Sequence, residues 1–139
     1  MTDFLNVTLS PEQLSTVSEL ALAHVGDAVF ELLVRSELIC EADSARVRDL
    51  HARVVARVTA PAQAAFVERL LPHLTAEETA VYKRGRNVHS HPAPKSATPG
   101  QYARATGLET LFGWLWLTGQ HQRVSELYAL GMEQVTSNK

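Results

Sequence analysis

The chain is short of several things, and each shortage narrows what it can be. Its one cysteine, Cys40, excludes an internal disulfide, and without a second there is no cysteine-based zinc framework. Cys40 is most simply a packing residue, and a reducing compartment fits. The N-terminal MTDFLNVTLSPEQ lacks the basic start and apolar core of a secretory leader. The most apolar stretches are interrupted by Asp27 or Glu109 well before they would span a bilayer. These absences give the expectation of a soluble, cytoplasmic protein with no membrane partner. No stretch alternates long enough to make a strand.

Acidic residues are missing from one whole region. Residues 79–108 hold no Asp or Glu, yet carry Lys83, Arg84, Arg86, Lys95 and Arg104, leaving eight of the 13 Lys and Arg to face all 15 acids elsewhere. The net charge of −2 argues weakly against a nucleic-acid partner, but it averages over a concentrated cationic segment on an acidic body.

What is present is helical. With 139 residues, 45% of them hydrophobic, the chain suits one ordinary core, so residues 1–139 are expected to form a single all-α domain. Ser10-Pro11 with Gln13 caps a short first helix. A longer one runs from about Ser18 to Glu37, and Asp43 or Ser44 starts a third, where Arg46, Arg53 and Arg57 share a face at i, i+7 and i+11. Pro61 opens the next, and Pro72 follows its end. The Thr75 to Glu78 capping box starts a short helix that closes at Lys83, Arg84 and Gly85. From Gly85 to about Ala97 the chain reads as loop, long enough to be functional or mobile. Thr98 and Pro99 begin a helix stopped by Gly119, and the last covers roughly Gln122 to Val135.

Two of these helices carry a single carboxylate near the middle with a glycine close by. Asp27 follows Gly26; Glu109 precedes Gly113 by one turn. Glycines let helix backbones approach closely, so the two carboxylates meet in one cleft if the helices cross there. Such a pair suits a hard divalent cation, Mg²⁺ with Mn²⁺ able to take its place. An isolated carboxylate on an amphipathic helix ordinarily lies on its solvated face, and spacing alone leaves that alternative open. The segment LETLFGWLWLTG holds more apolar residues than one helix face buries, so this helix is central or shared with a partner.

The cationic segment offers Lys83, Arg84, Arg86 and Lys95 to phosphates, with Asn87 and Ser96 as hydrogen-bond donors to phosphate or sugar. Arg46, Arg53 and Arg57 make a second candidate surface. His89 and His91 are a weak metal pair, more cheaply explained as part of a flexible loop.

LALAHVGDAVFELLVR, residues 20–35, resembles the signature helix of the ribonuclease III family, in particular its compact mini-ribonuclease III subfamily. That subfamily pairs a Gly-Asp-Ala-Val helix with KRGRN, a proline- and lysine-containing loop and an ATG-hydrophobic-E helix. Here these are Gly26 to Val29, Lys83 to Asn87, Pro94 to Ala97, and Ala105 to Glu109. The order holds from about Leu14 to Tyr128, which the resemblance makes the core of the domain.

The resemblance implies an all-helical ribonuclease III domain, working as a homodimer, that hydrolyses double-stranded RNA with Mg²⁺. Asp27 and Glu109 match the family's metal-binding catalytic carboxylates. Where four-carboxylate members carry two further acids, this chain has Ala23 and Thr106, as the mini subfamily does. One Mg²⁺ bridging Asp27, Glu109 and the scissile phosphate, with any second ion recruited mainly by RNA, is the preferred reading. His24 is more often a satisfied packing residue, and Glu31 can pair with Arg35, though either could support a water ligand. With eleven residues after Tyr128, no appended double-stranded-RNA-binding domain is expected, and affinity is expected to be strongly salt-dependent. In the subfamily the implied target is the precursor of large-subunit (23S) ribosomal RNA, trimmed near its paired ends, with a ribosomal protein on the substrate as a possible partner. Two other readings stand beside this one. One is a non-catalytic RNA-binding or ribosome-associated module with the same fold; the other is a DNA-directed nuclease.

Overall fold

The computed structural model describes residues 3–41, 47–88, 93 and 95–132. Seven α-helices are described: α1 (Pro11–Ser15), α2 (Glu19–Glu41), α3 (Val47–Val58), α4 (Ala60–Leu70), α5 (Ala76–Arg86), α6 (Pro99–Leu117) and α7 (His121–Met132), with a 3₁₀ turn at Leu71–His73. Among the described residues the only β pairing is one isolated bridge, Thr8 to Thr118. The chain is therefore all-α, as its lack of alternation predicted.

Local chemistry starts the helices where the sequence placed them. Ser10 and Thr75 cap α1 and α5, each in a reciprocal capping box, and Thr98 forms a third box with Gln101 at the start of α6. Thr59 caps α4, whose first turn holds Pro61. Gly119, at φ 76°, turns the chain after α6.

α6 lies at the centre. It packs on α2, α4, α5 and α7, so Leu111, Phe112, Trp114 and Leu115 are all buried although they lie around the whole helix. Four helices send an aromatic ring to one point. Phe30 of α2 meets Phe66 of α4 edge-on at 5.2 Å between ring centres, with Phe112 of α6 and Tyr128 of α7 each at 5.9 Å. Such pairs add about 0.5–1.5 kcal/mol each beyond the area they bury.

Three sequence expectations are corrected. α2 continues past Glu37 to Glu41, because the stripe Phe30, Val34, Leu38 keeps burying one more turn. Cys40 is exposed rather than packed; it falls on the face of α2 opposite Leu38. Gly85 does not close α5 but lies inside it, and the loop begins after Arg86. A Cβ at Gly85 would stand 2.2 Å from Thr110 Oγ1, so this glycine is there for the close passage of α5 over α6. The expected caps Asp43 and Ser44, together with Arg46, His89, His91 and the end of the last helix, lie outside the described residues.

Candidate functional site

α2 and α6 cross in backbone contact. A Cβ at Gly26 would stand 1.6 Å from the carbonyl oxygen of Glu109, and one at Gly113 would stand 1.8 Å from that of Leu22. No side chain fits at either place. The crossing sets Asp27, next in sequence to Gly26, beside the Glu109 side chain.

The two carboxyl groups act on each other directly. Asp27 is exposed and Glu109 partly buried. Burial pushes the Glu109 carboxyl from its ordinary 4.5 up to about 8, and the charge of Asp27 and a hydrogen bond to it push the same way. Gln63 of α4 works against them: its side-chain amide lies against Glu109 and favours the charged form. Gln63 is only 2% exposed, and its Nε2 completes no hydrogen bond. A buried donor in that state costs about 1–3 kcal/mol.

The donor set fits a hard divalent cation. Asp27 and Glu109 supply the oxygen ligands that Mg²⁺ or Mn²⁺ prefers, and a cation would compensate the burial and the Asp27 charge that together disfavour a charged Glu109. Ala23 is buried, and the Thr106 hydroxyl donates to the Tyr102 carbonyl of its own helix at 3.1 Å. Neither adds a ligand. Among the described residues no group of three or more His, Cys, Asp and Glu side chains comes together, so ion coordination here would be completed by water and substrate oxygens. His24 is exposed rather than packed. With Asp27, Ala28, Glu31, Leu32 and Arg35 it lines an open depression of about 360 Å³. Glu31 is paired with Arg35.

The cationic residues gather at the end of α5 and the approach to α6. Lys83, Arg84, Asn87, Lys95 and Ser96 are exposed. The Arg86 guanidinium lies 5.8 Å from the centre of the Tyr82 ring, and its Nε donates to Asn87 Oδ1 at 3.2 Å. Arg84 Nε is 3.6 Å from Glu19 Oε1, at the start of α2. Asp27 lies two turns further along that helix, about 12 Å at ~1.5 Å per residue.

The second candidate basic surface is described at Arg53 and Arg57, one turn apart on α3. Arg53 is exposed on α3, but Arg57 is held by Glu37 at 2.8 Å and by Glu41 at 3.6 Å. Tyr128 donates its hydroxyl to the same Glu37 oxygen at 2.7 Å. Arg57 thus tethers α3 to α2.

Two residues escaped sequence reasoning. Gln63 sits in the run PAQAAFV, a lone polar side chain among small and apolar ones, and that contrast was its only signal. Glu78, expected as a cap residue, is also 4% exposed and held by Arg123 through two bonds of 2.8 and 2.9 Å.

Known proteins resemble this chain over most of its length. The family description "Ribonuclease III domain" matches residues 20–120. The Mini-ribonuclease 3 of Symbiobacterium thermophilum is 48% identical over 112 residues, which is 81% of this chain and 85% of that protein. The Mini-ribonuclease 3 of Clostridium tetani is 35% identical over 127 residues, covering 91% of this chain and 84% of its own. A crystal structure of a Fusobacterium nucleatum protein matches with a TM-score of 0.77 at 26% identity, over 87% of this chain and 96% of the other.

Proposed function

Since this chain belongs to the ribonuclease III family, it is an endoribonuclease acting on double-stranded RNA, and we propose that Asp27 and Glu109 carry the reaction with one bound Mg²⁺. The observation that carries this reading is the Gly26 and Gly113 crossing, which joins two carboxylates from distant parts of the chain.

When bound, Mg²⁺ supplies Lewis-acid polarisation of phosphate oxygens and acidifies coordinated water, and Mn²⁺ can replace it. Asp27 and Glu109 would hold it. Glu109 would release its carboxyl proton to solvent in doing so, because a ligand oxygen must be unprotonated. Asp27, exposed beside the depression, is the carboxylate that faces incoming RNA. Lys83, Arg84, Arg86 and Lys95 hold phosphates on either side of the cut, with Asn87 and Ser96 donating to phosphate or sugar; such contacts read the A-form shape. Arg53 adds to the RNA surface, while Arg57 has its ion pairs to keep.

Residues 1–139 act as one ribonuclease III-like domain in this reading, and two copies act together. Exposed Leu32 and Ile39 lie seven residues apart on one face of α2, and exposed Leu20 and Val55 extend the apolar surface available to a twofold partner. The natural target is the paired end of 23S ribosomal RNA precursor in the cytoplasm, presented with a ribosomal protein. Support for that target is the similarity to Mini-ribonuclease 3 proteins. Among the described residues no helix is long and apolar enough to cross a membrane.

Cleavage of an end-labelled RNA duplex with Mg²⁺ tests this, comparing the natural protein with Asp27→Asn and Glu109→Gln while binding is followed separately. Cutting lost in both variants, by a thousand-fold or more, with binding retained is the expected result. A natural protein that binds duplex and precursor ribosomal RNA without cutting either would leave a non-catalytic RNA-binding module. Equal cutting of the DNA duplex of the same sequence would remove the RNA assignment.

A further inference from the structure

The geometry points to Gln63 as a positioning residue that turns the Glu109 carboxylate toward a divalent cation. This rests on the reading of Asp27 and Glu109 as the cation site.

Gln63 stands in the first turn of α4, whose start is fixed by Thr59 and Pro61 and whose inner face packs against α6. Every other inward residue of that helix is apolar: Ala64, Phe66, Val67 and Leu70 are buried. A leucine would fill the position of Gln63 at no cost in volume and leave no polar atom behind. The chain instead places an amide 98% out of solvent, as its 2% exposure shows, with Nε2 bonded to nothing and set against Glu109. A polar atom held this deep without a partner calls for an explanation.

The explanation lies in the two ways the Glu109 carboxyl can be arranged. Beside Asp27 in the ion-free chain, it lies against the Gln63 side chain, yet Nε2 completes no hydrogen bond. With one oxygen given to a cation beside Asp27, the carboxylate's other oxygen has a free lone pair, and Nε2 is the buried donor at hand to take it. Gln63 is therefore placed to hold the Glu109 carboxylate in the orientation of a ligand. Groups behind a ligand act in this way, orienting it and strengthening its hold on the ion.

Gln63→Leu tests the assignment, with Gln63→Met as a second apolar variant that keeps the unbranched stem. Mn²⁺ binding to the protein without RNA is read by electron paramagnetic resonance, and thermal stability is read without metal. Cleavage of duplex RNA is then titrated with Mg²⁺. Both variants are expected to keep or raise the melting temperature in the absence of metal, since the orphan amide is gone. Mn²⁺ binding and the half-saturating Mg²⁺ concentration should weaken about ten-fold or more, with the rate at saturating Mg²⁺ changed far less. A residue that merely fills space would lower stability and leave metal affinity alone, so Mn²⁺ affinity within two-fold of the natural protein's in both variants would overturn the proposal. Asp27→Asn separates the two levels: if it abolishes Mn²⁺ binding while the Gln63 variants do not weaken it, the cation site stands and the role of Gln63 falls. If Asp27→Asn leaves Mn²⁺ binding intact, both fall together.

Discussion

Gly26 lies against the backbone carbonyl of Glu109, and that contact sets the Asp27 side chain beside the Glu109 carboxylate. The distance between two helix axes is thus a condition of the chemistry. It is fixed by the absence of a methyl group on each side.

Adding that methyl should be severe. Gly26→Ala and Gly113→Ala each force a Cβ into a backbone carbonyl, at 1.6 and 1.8 Å, which no side-chain adjustment relieves. Each is expected to cost at least about 3 kcal/mol. Gly100→Ala is the control, since its Cβ would meet only Thr98 Oγ1 at 3.9 Å; there the helix gain of alanine should leave stability equal or slightly higher. Denaturant midpoints at constant slope decide the matter.

Stability without divalent cations should fall as pH rises toward 8. Glu109 has a carboxyl raised from 4.5 to about 8 in the folded chain. Between those values the native state holds a proton that the unfolded chain has released, so folding loses stability across that window and not below it. The full shift sets a ceiling of several kcal/mol; with Glu109 only partly buried, on the order of 2 kcal/mol is expected. Glu109→Gln should flatten the profile and stabilise the metal-free protein at pH 8, and melting curves from pH 4 to 9 for both proteins read the difference. Mg²⁺ competes with the same proton, so its affinity should climb with pH up to about 8.

The Glu78 and Arg123 pair should matter for folding and not for the metal. Arg123 holds the buried carboxylate with two bonds and the His73 carbonyl with a third at 2.8 Å. Those bonds hold the Glu78 carboxyl below its ordinary value, so the pair contributes above that ordinary value and its contribution is lost as pH falls. Arg123→Met leaves a buried charge unpaired at neutral pH and should cost about 3 kcal/mol, less at pH 4 where Glu78 can take a proton. The Mg²⁺ concentration for half-maximal cleavage should not move.

Two arginines should separate by salt. Arg84→Ala, at the exposed end of α5, should weaken duplex RNA binding and reduce the slope of log affinity against log salt by about 1. Arg57→Ala should leave that slope unchanged and lower stability instead, because it removes the partner of Glu37 and Glu41. Binding isotherms at four salt concentrations, with a melting curve for each variant, are sufficient.

Local features were legible in the sequence because their causes are local. Ser10 with Gln13 and Thr75 with Glu78 are complete instructions for a helix start within four residues, and the apolar circumference of α6 announced a central helix. The meeting of Asp27 with Glu109 was legible through the glycines, which mark where a helix must pass another, and through the family resemblance of the two motifs that carry them. Gln63, Arg57 and the Arg123 bond to Glu78 were not, since each is defined by a partner on another helix. Gly85 misled because lysine, arginine and glycine together mimic a helix end, whereas its cause is Thr110 on α6.

The most direct test is crystallographic: crystals grown with Mn²⁺, with diffraction measured at the manganese absorption edge. The account predicts an anomalous peak within coordination distance of one oxygen from Asp27 and one from Glu109. A well-ordered crystal at millimolar Mn²⁺ with no peak there, or with the two carboxylates holding separate ions far apart, would contradict it.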